Sequence, residues 1–191
     1  MPRTLLAAVL LAMGLPAAAQ TVPTAGTARD ALFDARRSQL VVQRDAAFLT
    51  GADRAALTAM PKVADLRYYG SIAVAPDEGL QSETSTAAFN FHSLAEARGA
   101  ALRGCEGRRR RGAACRIAAD VVPRGYRPGR PFSLSQDATA ALQGRGYARG
   151  GEHMATSAST GAWGLGSDPA TAIAACEETG GRGECALALR N

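Results

Sequence analysis

Residues 93–122 read SLAEARGAALRGCEGRRRRGAACRIAADVV. Ser93 and Glu96 have the spacing of a capping box, in which a serine hydroxyl and a glutamate carboxylate each accept a backbone amide at a helix start. The alanine-rich run that follows predicts a helix ending near Cys105. After a loop rich in glycine and arginine, the apolar run that opens with Cys115 predicts a strand.

The same order recurs near the end of the chain, where residues 168–189 read DPATAIAACEETGGRGECALAL. Asp168 is a good N-cap and Pro169 suits the first helical turn. This pattern predicts a second helix ending near Cys176 and a strand that opens with Cys185.

A hairpin is predicted before each helix. Residues 73–79 (AVAPDEG) parallel residues 155–161 (ATSASTG), since both run from small strand residues into a turn that is closed by a glycine able to take positive φ. Second strands are predicted at 86–91 and 162–165. Each unit therefore has the order β-β-α-β, which indicates an internal duplication whose two units superpose and share one sheet.

The remaining pattern adds elements before each unit. Thr27 and Asp30 predict a helix start, and Ser135 predicts a helix cap. The added elements are helices at 29–37, 53–60 and 136–143 and short strands at 39–43 and 130–134, with 123–131 as the connection. The predicted class is α+β. Its segments are 1–19, a signal peptide; 20–66, helical and strand; 67–122, the first unit; 123–151, connecting; and 152–191, the second unit.

The N-terminus has the three parts of a secretory signal peptide. Arg3 is the basic residue, residues 4–15 are mostly apolar, and Pro16 with Ala17, Ala18 and Ala19 forms a small-residue cleavage site before Gln20. The apolar run is shorter than the roughly 20 residues of a membrane span, and the alternative is a buried N-terminal helix. We expect a mature protein in the periplasm or the medium, with no transmembrane segment.

The chain has 191 residues and a formal net charge of +5. Lys62 is the only lysine among its 22 basic residues, so the basic character is almost all arginine. This bias has two readings, the codon composition of a GC-rich genome or a basic binding surface.

Four cysteines in an exported chain indicate disulfides. A zinc site is the alternative, although the spacings C-x9-C and C-x8-C lack the C-x2-C pair typical of zinc. Of the three pairings, we predict Cys105 with Cys115 and Cys176 with Cys185, because each pair joins a helix end to the next strand.

The second unit resembles a known family. SASTGAWG at 157–164, the alanine-rich helix ending in Cys176, and Cys185 are similar to domain of unknown function 4189, a group of small secreted bacterial domains. The resemblance covers 68–122 and 153–191. In the first unit Gln81 stands where Trp163 stands in the second, and a third cysteine common in that family is missing.

The whole layout, with YYG at 68–70, PDEGLQSE at 76–83 and LSQDATA at 134–140, also resembles exported alphaproteobacterial proteins that genomes label aminolevulinate synthase. That label implies pyridoxal phosphate bound to a lysine. Only Lys62 is present, next to Pro61 and without a nearby phosphate-binding loop, so no cofactor is predicted and the label is not adopted.

Motifs of common enzymes are absent from the sequence. It has no G-x-S-x-G elbow, H-E-x-x-H metal motif, phosphate loop or dinucleotide-binding glycine pattern. His92 and His153 are the only histidines, and we interpret each as a partly exposed polar residue rather than a general base. No catalytic, cofactor-binding or metal-ligating residue is predicted; the alternative is an enzyme whose site lies between the two units.

Two features are candidates for binding. Trp163 is either a packed anchor or a stacking residue for a sugar or a peptide. The run Arg108, Arg109, Arg110 and Arg111 is either a solvated loop or an exposed anion-binding patch for an anionic envelope component or an acidic protein. Nucleic acid is not expected, because no aromatic residues are interleaved with the arginines. The sequence thus favours an exported, non-catalytic binding or envelope-associated module.

Overall fold

The computed structural model describes residues 22–144, 147 and 153–190, so the predicted signal peptide lies outside the described residues. The helices are α1 Ala25–Ala31, α2 Gly51–Ala59, α3 Leu94–Glu106, α4 Gln136–Gln143 and α5 Pro169–Glu178, with a 3₁₀ turn at Met60–Lys62. The strands are β1 Ser38–Val42, β2 Gly70–Val74, β3 Thr86–Ala88, β4 Arg116–Pro123, β5 His153–Thr156, β6 Trp163–Gly166 and β7 Ala186–Leu189. The predicted α+β class is confirmed.

The strands form two antiparallel sheets, ordered β1-β4-β2-β3 and β6-β5-β7. The expectation that both units share one sheet is therefore wrong. We call the β1-β4-β2-β3 sheet with α2 and α3 the first half, and the β6-β5-β7 sheet with α5 the second half. The second hairpin meets the first half through its turn and not through a strand edge. At this turn, a Cβ added to Gly161 would lie 2.7 Å from the carbonyl oxygen of Asn90.

Within each half the strands have the same arrangement. The order β4-β2-β3 in the first sheet matches β7-β5-β6 in the second, and the pairing register shifts after Ile72 in β2 and after Met154 in β5. Gly79 and Gly161 both have positive φ, 81° and 76°, and each lies in a turn after the first strand of its half.

The helix starts predicted at Ser93 and Asp168 are confirmed. Ser93 Oγ accepts the amide of Glu96 at 3.2 Å, and Asp168 Oδ1 accepts the amide of Thr171 at 3.0 Å with Pro169 in the first turn. Each cap satisfies a backbone donor that the helix itself leaves free.

Both predicted disulfides are present, Cys105–Cys115 and Cys176–Cys185, each with a Cα–Cα distance of 6.1 Å. The residue after the first cysteine of each pair is a glutamate whose carboxylate accepts the backbone amide of the second cysteine. These bonds run from Cys115 N to Glu106 Oε1 at 2.6 Å, and from Cys185 N to Glu177 Oε1 at 2.8 Å. The zinc alternative is therefore wrong.

The predicted helix at 29–37 is also wrong. Helix α1 starts earlier, capped by Thr24, and it ends at Ala31. The Arg130 guanidinium donates to the carbonyl oxygens of Ala31 and Leu32, at 2.6 and 2.8 Å, and so takes bonds that a next helical turn would have made.

Two strand predictions need correction. Residues 130–134 form no strand; Pro131 has no amide to donate, and Leu134 is buried in the core. The strand predicted at 86–91 stops at Ala88, because Asn90 takes a positive φ of 65°. Phe91 still donates its amide to the carbonyl oxygen of Tyr69 at 3.0 Å.

Helices cover both faces of the second sheet. Helix α5 packs on one face, where a Cβ on Gly164 or Gly166 would lie 2.2 or 2.3 Å from backbone nitrogens of α5. The other face joins α1 and α4 in one apolar cluster: Ala25, Ala28, Leu134, Ala138, Leu142, Tyr147, Met154 and Leu189. No helix in the described part of the chain is long and apolar enough to cross a membrane.

Candidate functional site

His92 lies where the first half, the connecting segment and the second half meet. It is 5% exposed; Nδ1 accepts the amide of Ser135 at 3.2 Å, and Nε2 is 3.0 Å from the carbonyl oxygen of Ala162. Since Nδ1 accepts an amide proton, the ring proton belongs on Nε2, which donates to Ala162. Burial lowers the pKa of His92, which keeps the ring neutral. With both nitrogens engaged, His92 has a structural role, and the expectation that its ring is partly exposed is wrong.

The start of α4 is bonded to the first half by several side chains. Asn90 Nδ2 donates to Asp137 Oδ2 at 2.9 Å, and the amide of Asp137 donates to Asn90 Oδ1 at 3.2 Å. Arg67 also pairs with Asp137, and Gln136 exchanges two hydrogen bonds with the backbone of Tyr68 at 2.9 and 3.1 Å. These bonds fix α4, which packs on the second sheet, to the first half. They therefore hold the two halves in one relative position on either side of a cleft.

The cleft has a volume of about 570 Å³ and is lined by both halves. Phe89 and Asn90 come from the first half, residues 160–165 form its length, and the C-terminal end of α5 contributes Ala175, Glu178 and Thr179. Sequence reasoning did not select Phe89, Asn90, Glu178 or Thr179, because these residues become neighbours only through the docking of the two halves. Trp163, which sequence reasoning did select, is part of the lining.

Trp163 has the contacts of the predicted packed anchor, and its role as a stacking residue stays a prediction. Its side chain is partly buried and packs against the core cluster between the second sheet, α1 and α4. The residue also lines the cleft, so this packed tryptophan lies at the candidate site.

The cleft follows the outer edge of β6, which pairs with β5 on its other side. Ser157 N donates to Ala162 O, so these two residues form a hydrogen-bonded pair of the hairpin. Such pairs alternate along an antiparallel ladder. The N–H and C=O of Gly164 and Gly166 therefore point toward β5, while those of Trp163 and Leu165 point outward. In the described part of the chain, these outward groups have one hydrogen-bond partner, the Thr179 hydroxyl, whose single proton is shared between Trp163 O at 2.9 Å and Cys176 O at 2.8 Å. The Trp163 amide and both peptide groups of Leu165 thus remain open along the edge.

His153 is not brought to this cleft. It lies at the start of β5 opposite Gly166, and its Nδ1 is buried with no hydrogen-bond partner in the described part of the chain. Neither histidine belongs to the cleft lining.

The arginine loop, residues 107–113, lies against an acidic loop at 77–83. Arg109 pairs with Glu106 at 2.7 Å and is half-buried, whereas the exposed Arg110 pairs with Glu83 at 3.1 Å. The expectation of four fully exposed arginines is therefore wrong for Arg109. Arg108 and Arg111 are exposed, and in the described residues neither guanidinium has an ion-pair partner.

The acidic loop also holds the backbone of the arginine loop. Glu78 Oε1 accepts the amides of Arg110 and Arg111 at 2.9 and 3.4 Å, and Asp77 accepts the amide of Ala113 at 2.6 Å. Hydrogen bonds from the Thr84 hydroxyl and then from the Arg110 amide lower the pKa of Glu78. Part of the positive charge is thus neutralised within the molecule, which the sequence run alone did not indicate.

The sequence analysis did not identify an ion pair between the buried Asp120 and the part-exposed Arg98, whose side chains are 4% and 43% exposed. The Asp120 carboxylate in β4 accepts hydrogen bonds from Arg98 Nε at 3.1 Å and from the Ser71 hydroxyl at 3.0 Å. It also accepts a hydrogen bond from the side-chain amide of Gln43. All of its partners lie inside the first half, which indicates a structural role. The sequence signal that could have identified this ion pair is the single aspartate within an apolar strand.

Pyridoxal phosphate does not fit the residues present. Lys62, the only lysine, is exposed at the end of the 3₁₀ turn, whereas a Schiff-base lysine needs a desolvated pocket. The described residues contain no group of histidine, cysteine and carboxylate side chains able to hold a metal ion.

No protein-family model, curated protein or solved structure matches this chain.

Proposed function

We propose that this chain is an exported, disulfide-stapled binding module whose ligand occupies the cleft between its two halves. The observation that carries the proposal is the composition of the cleft, to which the first half contributes Phe89 and Asn90 and the second half Trp163 and Glu178. A concave site of a few hundred Å³ that combines aromatic and aliphatic side chains with polar groups is typical of ligand binding.

Export is supported by the two disulfides, because such bonds form and persist in oxidising compartments. We propose cleavage between Ala19 and Gln20 and a periplasmic or secreted mature protein. Expression of the full chain in a Gram-negative host, followed by fractionation and N-terminal sequencing, tests this. A chain that keeps Met1 and stays in the cytoplasmic fraction would contradict it.

We also propose that the halves arose by duplication and that the chain is related to domain of unknown function 4189. Support comes from the matching strand order, the equivalent register shifts and the glutamate that follows the first cysteine of each disulfide.

Binding is favoured over catalysis because the titratable groups near the junction are committed to structure. His92 is buried and bonded through both ring nitrogens, so it has no nitrogen free to move a proton. Glu178 is the one charged residue in the described lining, and a single carboxylate without a base or nucleophile beside it supports recognition of a cation.

The arginine loop is a second candidate site, for an anionic envelope component or an acidic protein. Arg108 and Arg111 favour it, since both are exposed and lack a recorded acidic partner in the described residues. This candidate is independent of the cleft and is tested separately below.

Trp163 provides the test of the main proposal, because it is the only tryptophan and lines the cleft. Mature ¹⁵N-labelled protein is titrated with a mixed eight-residue peptide library, with disaccharide-peptide fragments of peptidoglycan and with phosphatidylglycerol vesicles. We expect peptides or glycan fragments to change the tryptophan emission and to shift the amides of Asn90 and Thr179. Shifts confined to the arginine loop, or none with any probe, would overturn the cleft as the binding site.

A further inference from the structure

We infer that the cleft binds an extended peptide, which adds as a strand to the open edge of β6 and places a cationic group beside Glu178. This inference rests on the proposed function, since it names the ligand class of the same cleft. It adds that the ligand is recognised through hydrogen bonds between its main chain and β6.

The first support is the edge itself. The Trp163 amide and the amide and carbonyl of Leu165 point into the cleft side of β6, with no partner in the described part of the chain, as derived above from the pairing with β5. An open edge of this kind is a template for another strand. Backbone hydrogen bonds then supply affinity while side-chain pockets supply specificity.

The second support is the shape of the cleft. Strand β6 has four residues, which correspond to roughly 13 Å of edge at about 3.3 Å per residue. The walls on either side are Phe89 and Asn90 in one direction and the end of α5 in the other. A groove that runs beside a strand edge and is bounded on both sides accommodates a single extended chain.

The third support is electrostatic. Helix α5 has no basic residue in its last turn, although its C-terminal carbonyls carry partial negative charge. Glu177 already accepts the amides of Gly183 and Cys185 at 2.7 and 2.8 Å, whereas Glu178 is exposed at the cleft with no recorded partner in the described residues. A lysine, arginine or N-terminal ammonium group of a peptide would neutralise both Glu178 and the helix end.

A second copy of this chain fits the edge less well. Its own β6, Trp163–Gly166, carries no cation to offer to Glu178. We therefore infer that the occupant of the cleft is a basic peptide of another protein. The experiment also detects self-association.

The experiment uses eight-residue peptides of alternating threonine and valine that carry arginine, glutamine or glutamate at one scanned position. Binding to the oxidised mature protein is followed by Trp163 fluorescence. We expect the arginine peptide to bind best and the glutamate peptide at least about tenfold more weakly. N-methylation of the alternate backbone amides that face β6 should abolish binding, whereas N-methylation of the other set should not.

Protein variants give the complementary test. Leu165→Pro removes an outward amide and leaves the β5–β6 bonds in place, as edge positions allow, so it should abolish binding. Glu178→Gln should weaken the arginine peptide about three- to tenfold but not the glutamine peptide. Glu184→Gln, which removes the same charge from an exposed residue outside the cleft lining, should change neither.

The outcomes separate the inference from the proposed function. Glycan fragments that bind the cleft while no peptide binds would overturn strand addition and leave the binding module standing; no probe at the cleft would overturn both. Peptide binding that tolerates N-methylation of both amide sets contradicts the inference, as does a dimer that Leu165→Pro dissociates. If Leu165→Pro fails to fold, the N-methylated peptides decide on the unaltered protein.

Discussion

At the scale of single residues, the junction depends on polar side chains that each make two hydrogen bonds. His92 links the amide of Ser135 to the carbonyl of Ala162, and Asn90 exchanges hydrogen bonds with Asp137 across the same boundary. Sequence reasoning expected a partly exposed His92 and could not name its partners, because they lie 43 and 70 residues away. Long-range partners of this kind leave no local pattern.

His92 gives a prediction about pH. Its folded-state pKa is lowered by burial, so the unfolded chain binds the proton more readily and stability falls as pH drops below about 6.5. We expect the melting temperature to fall between pH 7 and pH 5, and His92→Gln to flatten this dependence while lowering stability at pH 7 by about 1–3 kcal/mol.

Glu96 provides the internal control for that measurement. Burial raises its pKa, so it acts in the opposite direction, favouring the folded state as pH falls toward its range. Thermal unfolding of the unaltered protein, His92→Gln and Glu96→Gln at several pH values separates the two. An unchanged pH slope in His92→Gln would show that the histidine is not the titrating group.

The arginine loop gives the second residue-scale prediction. Arg108 and Arg111 are free of ion pairs in the described residues, whereas Arg109 and Arg110 are paired with Glu106 and Glu83. If the loop binds anions, changing Arg108 and Arg111 to serine should reduce binding to phosphatidylglycerol vesicles more than changing the two paired arginines. Co-sedimentation should also weaken as salt rises, because counter-ions screen exposed charges.

Stability supplies the control for this pair of double variants. Exposed unpaired charges contribute little, so the Arg108 and Arg111 variant should melt like the unaltered protein. Equal vesicle binding by both double variants and the unaltered protein would remove the loop as a site and leave codon composition as the reason for the arginine run.

At the scale of elements, local signals predicted what local chemistry controls. The caps at Ser93 and Asp168 and the turn at Gly161 are encoded by a few adjacent residues, and the structure has all three. The strand expected at 130–134 failed because Arg130 caps α1 and Leu134 enters a distant core. Tertiary contacts overrode the apolar pattern there.

The glycines of β6 predict how closely α5 packs. A Cβ at Gly164 or Gly166 would lie 2.2 or 2.3 Å from backbone atoms of α5, which cannot yield as a side-chain tip can. We expect Gly164→Ala and Gly166→Ala each to destabilise the protein by about 1–3 kcal/mol through overpacking, measured by urea unfolding. Gly26→Ala, with no atom within 4 Å of the added Cβ, should be neutral or stabilising. A loss at Gly26 equal to that at Gly164 would refute the close-packing explanation.

At the scale of the whole molecule, the two halves are joined by more than the connecting chain. The apolar cluster of the second sheet includes α1 from near the N-terminus and α4 from the connecting segment, and α4 is bonded to the first half through Gln136 and Asp137. Residues near the two ends also meet, since Ala25 N donates to Arg190 O at 3.2 Å and Arg190 N donates to Pro23 O at 3.0 Å. The cleft therefore lies between halves that are held together on its other sides.

This arrangement predicts that the halves unfold together. The disulfides close loops of similar length, with sequence separations of 10 and 9, so the loop-entropy relation assigns each about 2.5 kcal/mol. Replacing either pair with alanine should lower the free energy of unfolding by a similar amount. Because His92 and α4 couple the halves, either replacement should move one common transition, in which Trp163 fluorescence and far-ultraviolet circular dichroism coincide. If loss of Cys105–Cys115 left the Trp163 transition in place while part of the circular dichroism melted earlier, the halves would be independent. The cleft between them would then be hinged rather than preformed.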